Sequence, residues 1–263
     1  MKHEEKQMKV FESNDLIRRS GSRMTMLQQK TLLYLISQIN PYDKPNQTFS
    51  ANIMDICRVC NLDTKDGGAY ITLVKDIIKN GLTETMGWIR TENGIRQFAW
   101  LRNEVEILDD GTIRYQYTTT VQEHLFELRE RFTAYELLNV LALKSKHAIR
   151  LFEVLKSYES VGECDLILDD LKKELGVTYR ESEKGPWIEK YPKFFDFEKR
   201  VLIPCQIEIN TVSRDFHFSY SVSRRMKRKV YSLHFTITPH DPRSQWTKSN
   251  AAERARRLTP KQE

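Results

Sequence analysis

Five cations crowd the stretch Arg224, Arg225, Lys227, Arg228 and Lys229, and three more, Lys193, Lys199 and Arg200, stand a short way upstream. Positive groups at this density repel one another, and a polyanion that neutralises them relieves the repulsion. Arginine adds a planar fork that can grip a phosphate, or the O6 and N7 edge of guanine, through two hydrogen bonds. The chemistry on offer is non-covalent capture of a polyanion. From Lys184 to Val230 the cations outnumber Glu189, Asp196, Glu198, Glu208 and Asp215, so most of the formal net charge of +6 can be placed in this one stretch.

Covalent chemistry finds little support. Cys57 and Cys60 have CxxC spacing, but no second CxxC or HxxxH completes a four-ligand zinc site. IMDICRVCNL reads instead as an amphipathic helix with both thiols toward its buried face. No GxxxxGK[ST] run cradles a nucleotide phosphate. The histidines are scattered, and the acidic pairs Asp109-Asp110 and Asp169-Asp170 fall on a turn and a helix face. The expectation is a binding protein with no enzymatic activity, no metal and no cofactor. The start MKHEEKQMKV lacks the apolar run of a signal peptide, and no window reaches the length of a membrane span. The expected location is the cytoplasm.

The cations need elements to carry them. A helical reading of Tyr191 to Asn210 puts Phe194, Phe195, Phe197, Val201, Leu202, Pro204, Cys205 and Ile209 on one side. Lys193, Asp196, Lys199, Arg200, Gln206 and Asn210 share the other. Ile203 falls on the polar side, where it could meet a thymine methyl or pack against the following hairpin. Pro204 removes a backbone bond and bends the rod, which leaves the residues before it as the end that enters a groove. The hairpin runs from Phe216 to Thr238 with the cationic cluster at its tip. A basic helix beside a basic hairpin suits duplex DNA, with the helix in the major groove and the hairpin on flanking phosphates.

The same order of elements occurs twice. In the first half, helices are expected at Met26 to Ile39, at Ala51 to Cys60 capped by Ser50, and after Gly67-Gly68 with Tyr70, Leu73, Val74, Ile77 and Ile78 inward. Strand-like runs follow at Trp88 to Arg90, Arg96 to Leu101, Glu104 to Leu108 and Thr112 to Thr118, with Asn93-Gly94 and Asp110-Gly111 in the gaps. In the second half, Ala134 to Tyr158 reads as a long helix broken near Lys144 to His147. Asp165 to Leu175 is a short helix, Tyr191 to Asn210 the third, and the hairpin closes the unit. Val121 to Arg131 reads as a linking helix. Helix, helix, helix, hairpin is the winged-helix order, so the expected fold is α+β: two tandem winged-helix domains, each a helix-turn-helix plus a β-hairpin wing. The expected boundaries are a flexible 1–12, a first domain over 13–131, a second over 132–239 and a basic, disordered tail over 240–263. The third helix of the first half offers only Lys75 and Lys79, with Asp76 between them, so weaker DNA contact is expected there. MLQQKTLLYLI could serve as core or as a dimer seam.

The chain resembles the replication initiators of iteron-bearing plasmids. The resemblance rests on Ser13-Asn14 and Leu16-Ile17 before LQQKTLLYLISQI, on Ser50-Ala51, Tyr70 and Leu73, and on Tyr191, Asp196-Phe197, Arg200-Val201-Leu202 and Glu208-Ile209-Asn210. The basic wing ending Arg228-Lys229-Val230, with Phe235, completes it. The resemblance implies that the second winged helix reads direct repeats at a plasmid origin to initiate replication, and that the first supports dimerisation and further DNA contact. It implies autorepression as a dimer over an inverted repeat, and recruitment of the host initiator, replicative helicase and chaperones. Carried onto this chain, Lys193, Lys199 and Arg200 reach the groove and Arg224 to Lys229 form the wing. Many relatives have a glycine at the wing tip; RRMKRK has none, and a wider turn is expected. A winged-helix transcriptional repressor without a replication role fits the same residues.

Overall fold

In the computed structural model, which describes residues 8–40, 43–62, 67–84, 86–128, 130–180 and 186–240, the helix that anchors the first half begins with a reciprocal cap. The Thr25 hydroxyl accepts from the Gln28 N–H while the Gln28 side chain accepts from the Thr25 N–H, and this starts α2 (Met26–Ser37). Before it come β1 (Lys9–Ser13), α1 (Asn14–Arg19) and β2 (Ser20–Gly21). Lys9 to Glu12, expected to be flexible, are therefore ordered as strand. The residues before Met8 lie outside the described ones.

β3 (Phe49–Asn52) follows, then α3 (Ile53–Val59), and α4 (Gly67–Asp76), which runs on into a π turn at Ile77–Leu82. Ser50 does not cap a helix: it sits in β3 opposite Arg114, and Asn52 is the cap, accepting from the Met54 N–H at 2.8 Å. The strands β4 (Met86–Thr91), β5 (Gly94–Ala99), β6 (Glu106–Ile107) and β7 (Thr112–Tyr115) complete the first unit. They form two antiparallel sheets, ordered β2-β4-β5 and β3-β7-β6. Phe49, Tyr115, Tyr117 and Phe126 pack rings against one another beneath them. Cys57 and Cys60 lie in this core, and burial pushes the Cys60 thiol up to about 11, the setting of packed thiols.

The linking helix is shorter than expected. α5 (Thr119–Leu125) stops at Phe126, and Glu127 and Arg131 adopt left-handed backbone, which ends helical propagation. The next segment is a strand where the sequence suggests helix: β8 (Phe132–Glu136) pairs with β1 over its whole length. Then come α6 (Leu137–Leu141), α7 (Lys146–Lys156), β9 (Glu163–Ile167), α8 (Leu168–Glu174), β10 (Thr178–Arg180), β11 (Trp187–Glu189), α9 (Phe194–Phe197), a π turn at Glu198–Leu202, α10 (Ile203–Val212), β12 (Phe216–Met226) and β13 (Lys229–Pro239). The break expected near Lys144 to His147 falls slightly earlier, between Leu141 and Lys146, with Ser145 capping α7. The Asp165 to Leu175 helix is corrected, since Asp165 belongs to β9 and the helix begins at Leu168. β9 pairs with β13, and the sheet order is β12-β13-β9. Both halves thus run helix, strand, helix, helix, hairpin.

A nearly buried polar seam joins them. The Arg150 guanidinium, on α7, donates to Glu153 at 2.9 Å, to the Ser20 carbonyl at 2.8 Å and to the Ile17 carbonyl. Tyr135 Oη donates to Glu12 at 2.8 Å. Burial, then the neighbouring Glu153 charge, pushes the Glu12 carboxyl up to about 8. Farther along, Arg18 bonds Ser157 and lies 3.7 Å from the Tyr158 ring, and Arg90 grips Asp170 through two bonds of 2.9 and 2.6 Å.

Candidate nucleic-acid interface

The third helix of the second unit starts later than its sequence suggests. Pro192 disfavours helical backbone at Tyr191, and Lys193 is the N-cap, so the helix opens at Phe194. Lys193 therefore precedes the helix instead of riding on its face. The helix then carries Pro204 without ending. The Ile203 N–H reaches the Glu198 carbonyl, five residues back, and this wider turn accommodates the missing proline donor and the ring.

Phe197, Val201, Leu202, Cys205 and Ile209 are buried against α7 and the sheet. The outward face differs from the expected one. Phe195, assigned to the core side, is 66% exposed, and Pro204 is exposed as well. Ile203 is 41% exposed, and Ile207 beside it is 63% exposed. Lys199 and Arg200 are exposed on the same side, and Asp196 is half-buried in the first turn. Lys199 Nζ lies 5.9 Å from the Phe195 ring and the Arg200 guanidinium 6.0 Å from the Tyr191 ring, which limits the wandering of both long side chains.

Gln206 and Asn210, expected on the free polar face, are structural. Asn210 Nδ2 donates to the Phe218 carbonyl at 2.9 Å, its Oδ1 accepts from the Phe218 N–H at 2.8 Å, and Gln206 Nε2 donates to the same carbonyl at 3.1 Å. Phe218 lies on β12, the sheet edge, whose outer backbone groups would otherwise be unpaired. The helix and the root of the wing are thereby bolted together.

The wing is tight. Met226 pairs with Lys229, so the turn is the two residues Lys227 and Arg228, both with positive φ (44° and 68°). That is the pattern of a type I′ hairpin, normally built from asparagine and glycine. The expected wider turn is not found: two cationic residues hold the left-handed conformation at a cost of roughly 1–2 kcal/mol each. β9 supports β13 only from Ser232 to Thr236, so from Arg224 to Tyr231 the ribbon projects beyond its third strand. Arg224, Arg225, Lys227, Arg228 and Lys229 are all exposed on it.

Among the described residues, none of Lys193, Lys199, Arg200 or the five wing cations lies within 4.0 Å of a carboxylate, whereas Arg90, Lys156 and Lys172 all do. The acids of the same stretch are engaged inside their own unit. Glu189 pairs with Lys172, Glu198 accepts from Tyr220, Glu208 accepts from the Lys144 N–H, and Asp215 meets Lys156 and Asn139. The result is an electropositive face on adjoining elements, with Asp196 the acid left unpaired beside it. In the first half, Lys75 is exposed on α4, and the side chain of Lys79 lies outside the described residues.

Residues 9–156 match the profile of the family described as Initiator Replication protein, WH1, and residues 167–237 that of Initiator Rep protein, WH2. The chain belongs to this family of initiator replication proteins. Its fold is accordingly two winged-helix domains, as the repeated element order indicates. The family chain is also similar to the "PI protein" of Escherichia coli, at 25% identity over 134 residues, 48% of this chain and 44% of that protein. The aligned part is thus less than half the length of that relative. Among solved structures it is similar to the Pi initiator protein in complex with iteron DNA, with a TM-score of 0.72 and 18% identity over 90% of this chain and 99% of the other. At that identity the likeness speaks for the fold. Among the described residues, no helix of this initiator is long and apolar enough to cross a membrane.

Proposed function

We propose that this initiator binds repeated sites in double-stranded DNA at a plasmid origin, with the second winged helix as the principal reader, and so starts replication. The observation that carries the reading is the clustering of charge: eight cations without a carboxylate partner at the entrance and on the outer face of the third helix and on the projecting wing. The helix lies in the major groove with Lys199 and Arg200 toward base edges, Lys193 on the backbone at its entrance, and Asp196 within reach of a cytosine amino group. Arg224, Arg225, Lys227, Arg228 and Lys229 track flanking phosphates. Lys75 and Lys79 give the first domain a secondary contact, and that domain also carries a self-association surface. A dimer represses the protein's own promoter over an inverted repeat. Strand opening is left to the host initiator and helicase, with chaperones as further partners in the cytoplasm.

Arg200→Ala is expected to weaken specific binding by about 1–3 kcal/mol and to relax discrimination at one base pair. Titration of a single repeat, with a scrambled duplex as reference, measures both. Equal affinity of variant and parent for the repeat removes Arg200 from the groove.

A further inference from the structure

We infer that the groove-facing side of the third helix reads thymine by its C5-methyl group, through Ile203 and Ile207 with Phe195 at the leading end. This rests on the major-groove placement proposed above. Phe195, Lys199, Ile203 and Ile207 are spaced by four residues, and such a column drifts by about 40° per step in a regular α-helix. The π turn at Glu198–Leu202 adds a residue to the turn it occupies and offsets part of that drift, so the four residues stay toward one side. Three of the four are large apolar side chains, exposed by 66%, 41% and 63%. Leaving them in water gains nothing for folding, and an apolar partner is what they can recognise.

The polar groups of the helix narrow the reading further. Adenine is read in the major groove chiefly by a free asparagine or glutamine amide. The amides of Gln206 and Asn210 are both spent on the Phe218 backbone, and the Thr211 hydroxyl donates back to the Ile207 carbonyl at 2.7 Å. The donors left on this face are Lys199 and Arg200, which suit guanine. Beside them, the one apolar feature a base pair presents in the major groove is the thymine methyl. The occupant is DNA and not an apolar protein surface, because the strip is interleaved with Lys199 and Arg200 and bordered by Lys193 and the wing cations, charges that an apolar partner would have to strip of water. The recognised edge is therefore guanine and thymine, with cytosine met only through Asp196 and adenine seen only as the thymine's partner.

The test uses the full chain and the duplex it protects in DNA flanking its gene, synthesised with deoxyuridine in place of each thymidine in turn. That exchange removes one methyl group and leaves every hydrogen bond intact. Binding should fall about three- to fourfold at one or two thymines, the value of burying one methyl group. With Ile203→Ala or Ile207→Ala the same exchange should become neutral at the corresponding position, while thermal unfolding of these exposed-site variants matches the parent. Specific binding that ignores every deoxyuridine overturns the inference and leaves the DNA-reading proposal standing. Alanine variants that bind DNA like the parent but lose a protein contact assign the strip to a protein partner and also overturn it. Absence of any sequence-specific binding overturns both.

Discussion

Raising the salt from about 50 to about 200 mM is expected to weaken DNA binding by about a thousandfold. The eight unpaired cations on the third helix and wing can neutralise about six phosphates, and each releases condensed counterions, giving a slope near −5 for log K against log salt. The slope should belong to the second domain. Arg225→Ala with Arg228→Ala should reduce it by about two, with the same loss on specific and scrambled duplexes, because phosphate contacts carry no sequence information. Filter binding or anisotropy over a salt series provides the number. A slope near zero would sink the electrostatic account, and a slope unchanged in the double variant would move the phosphate contacts off the wing.

The second large effect is structural. Arg150→Ala is expected to destabilise the protein by about 3–5 kcal/mol, because it leaves Glu153 buried without its cation and removes the donor to the Ile17 and Ser20 carbonyls. The Arg150 side chain is 14% exposed and that of Glu153 is 5%, so water replaces little of what is lost. Replacing the pair together, as Arg150→Met with Glu153→Leu, should recover much of the loss, since no uncompensated carboxylate then remains at that position. Denaturant unfolding of the three proteins measures this. A change within about 0.5 kcal/mol for Arg150→Ala would show that the seam is not what holds the two units together.

Much of this was legible from residue order. The long helices announced themselves by apolar spacing, the strands of the first half by the turn residues between them, and the tandem winged-helix plan by repetition. What escaped was short or non-local. β3 and β9 are the strands between first and second helix in each unit, and the sequence reading assigns their second halves, from Ala51 and from Asp165, to helix. Phe49–Asn52 is too short to show alternation, and in Glu163–Ile167 the pairing that defines the strand comes from β13, far along the chain. β8 was hidden for the same reason, its partner β1 standing at the other end of the first unit. At the interface, composition alone picks out the cations, but grouping Phe195 with Phe197 on one side ignores that residues two apart point to nearly opposite sides of a helix. Nothing local marked Gln206 and Asn210 as structural, since their partner is the backbone of Phe218 on the neighbouring strand. The wing turn was misjudged because Lys227 and Arg228 adopt a conformation their side chains do not favour.

Footprinting of the full chain on the DNA that flanks its gene tests the central claim most directly. The account predicts protection of several direct repeats in one register, with a weaker footprint over a related inverted repeat at the promoter, and loss of both in Arg200→Ala. Binding that protects no defined sequence, or that Arg200→Ala leaves unaltered, would contradict it.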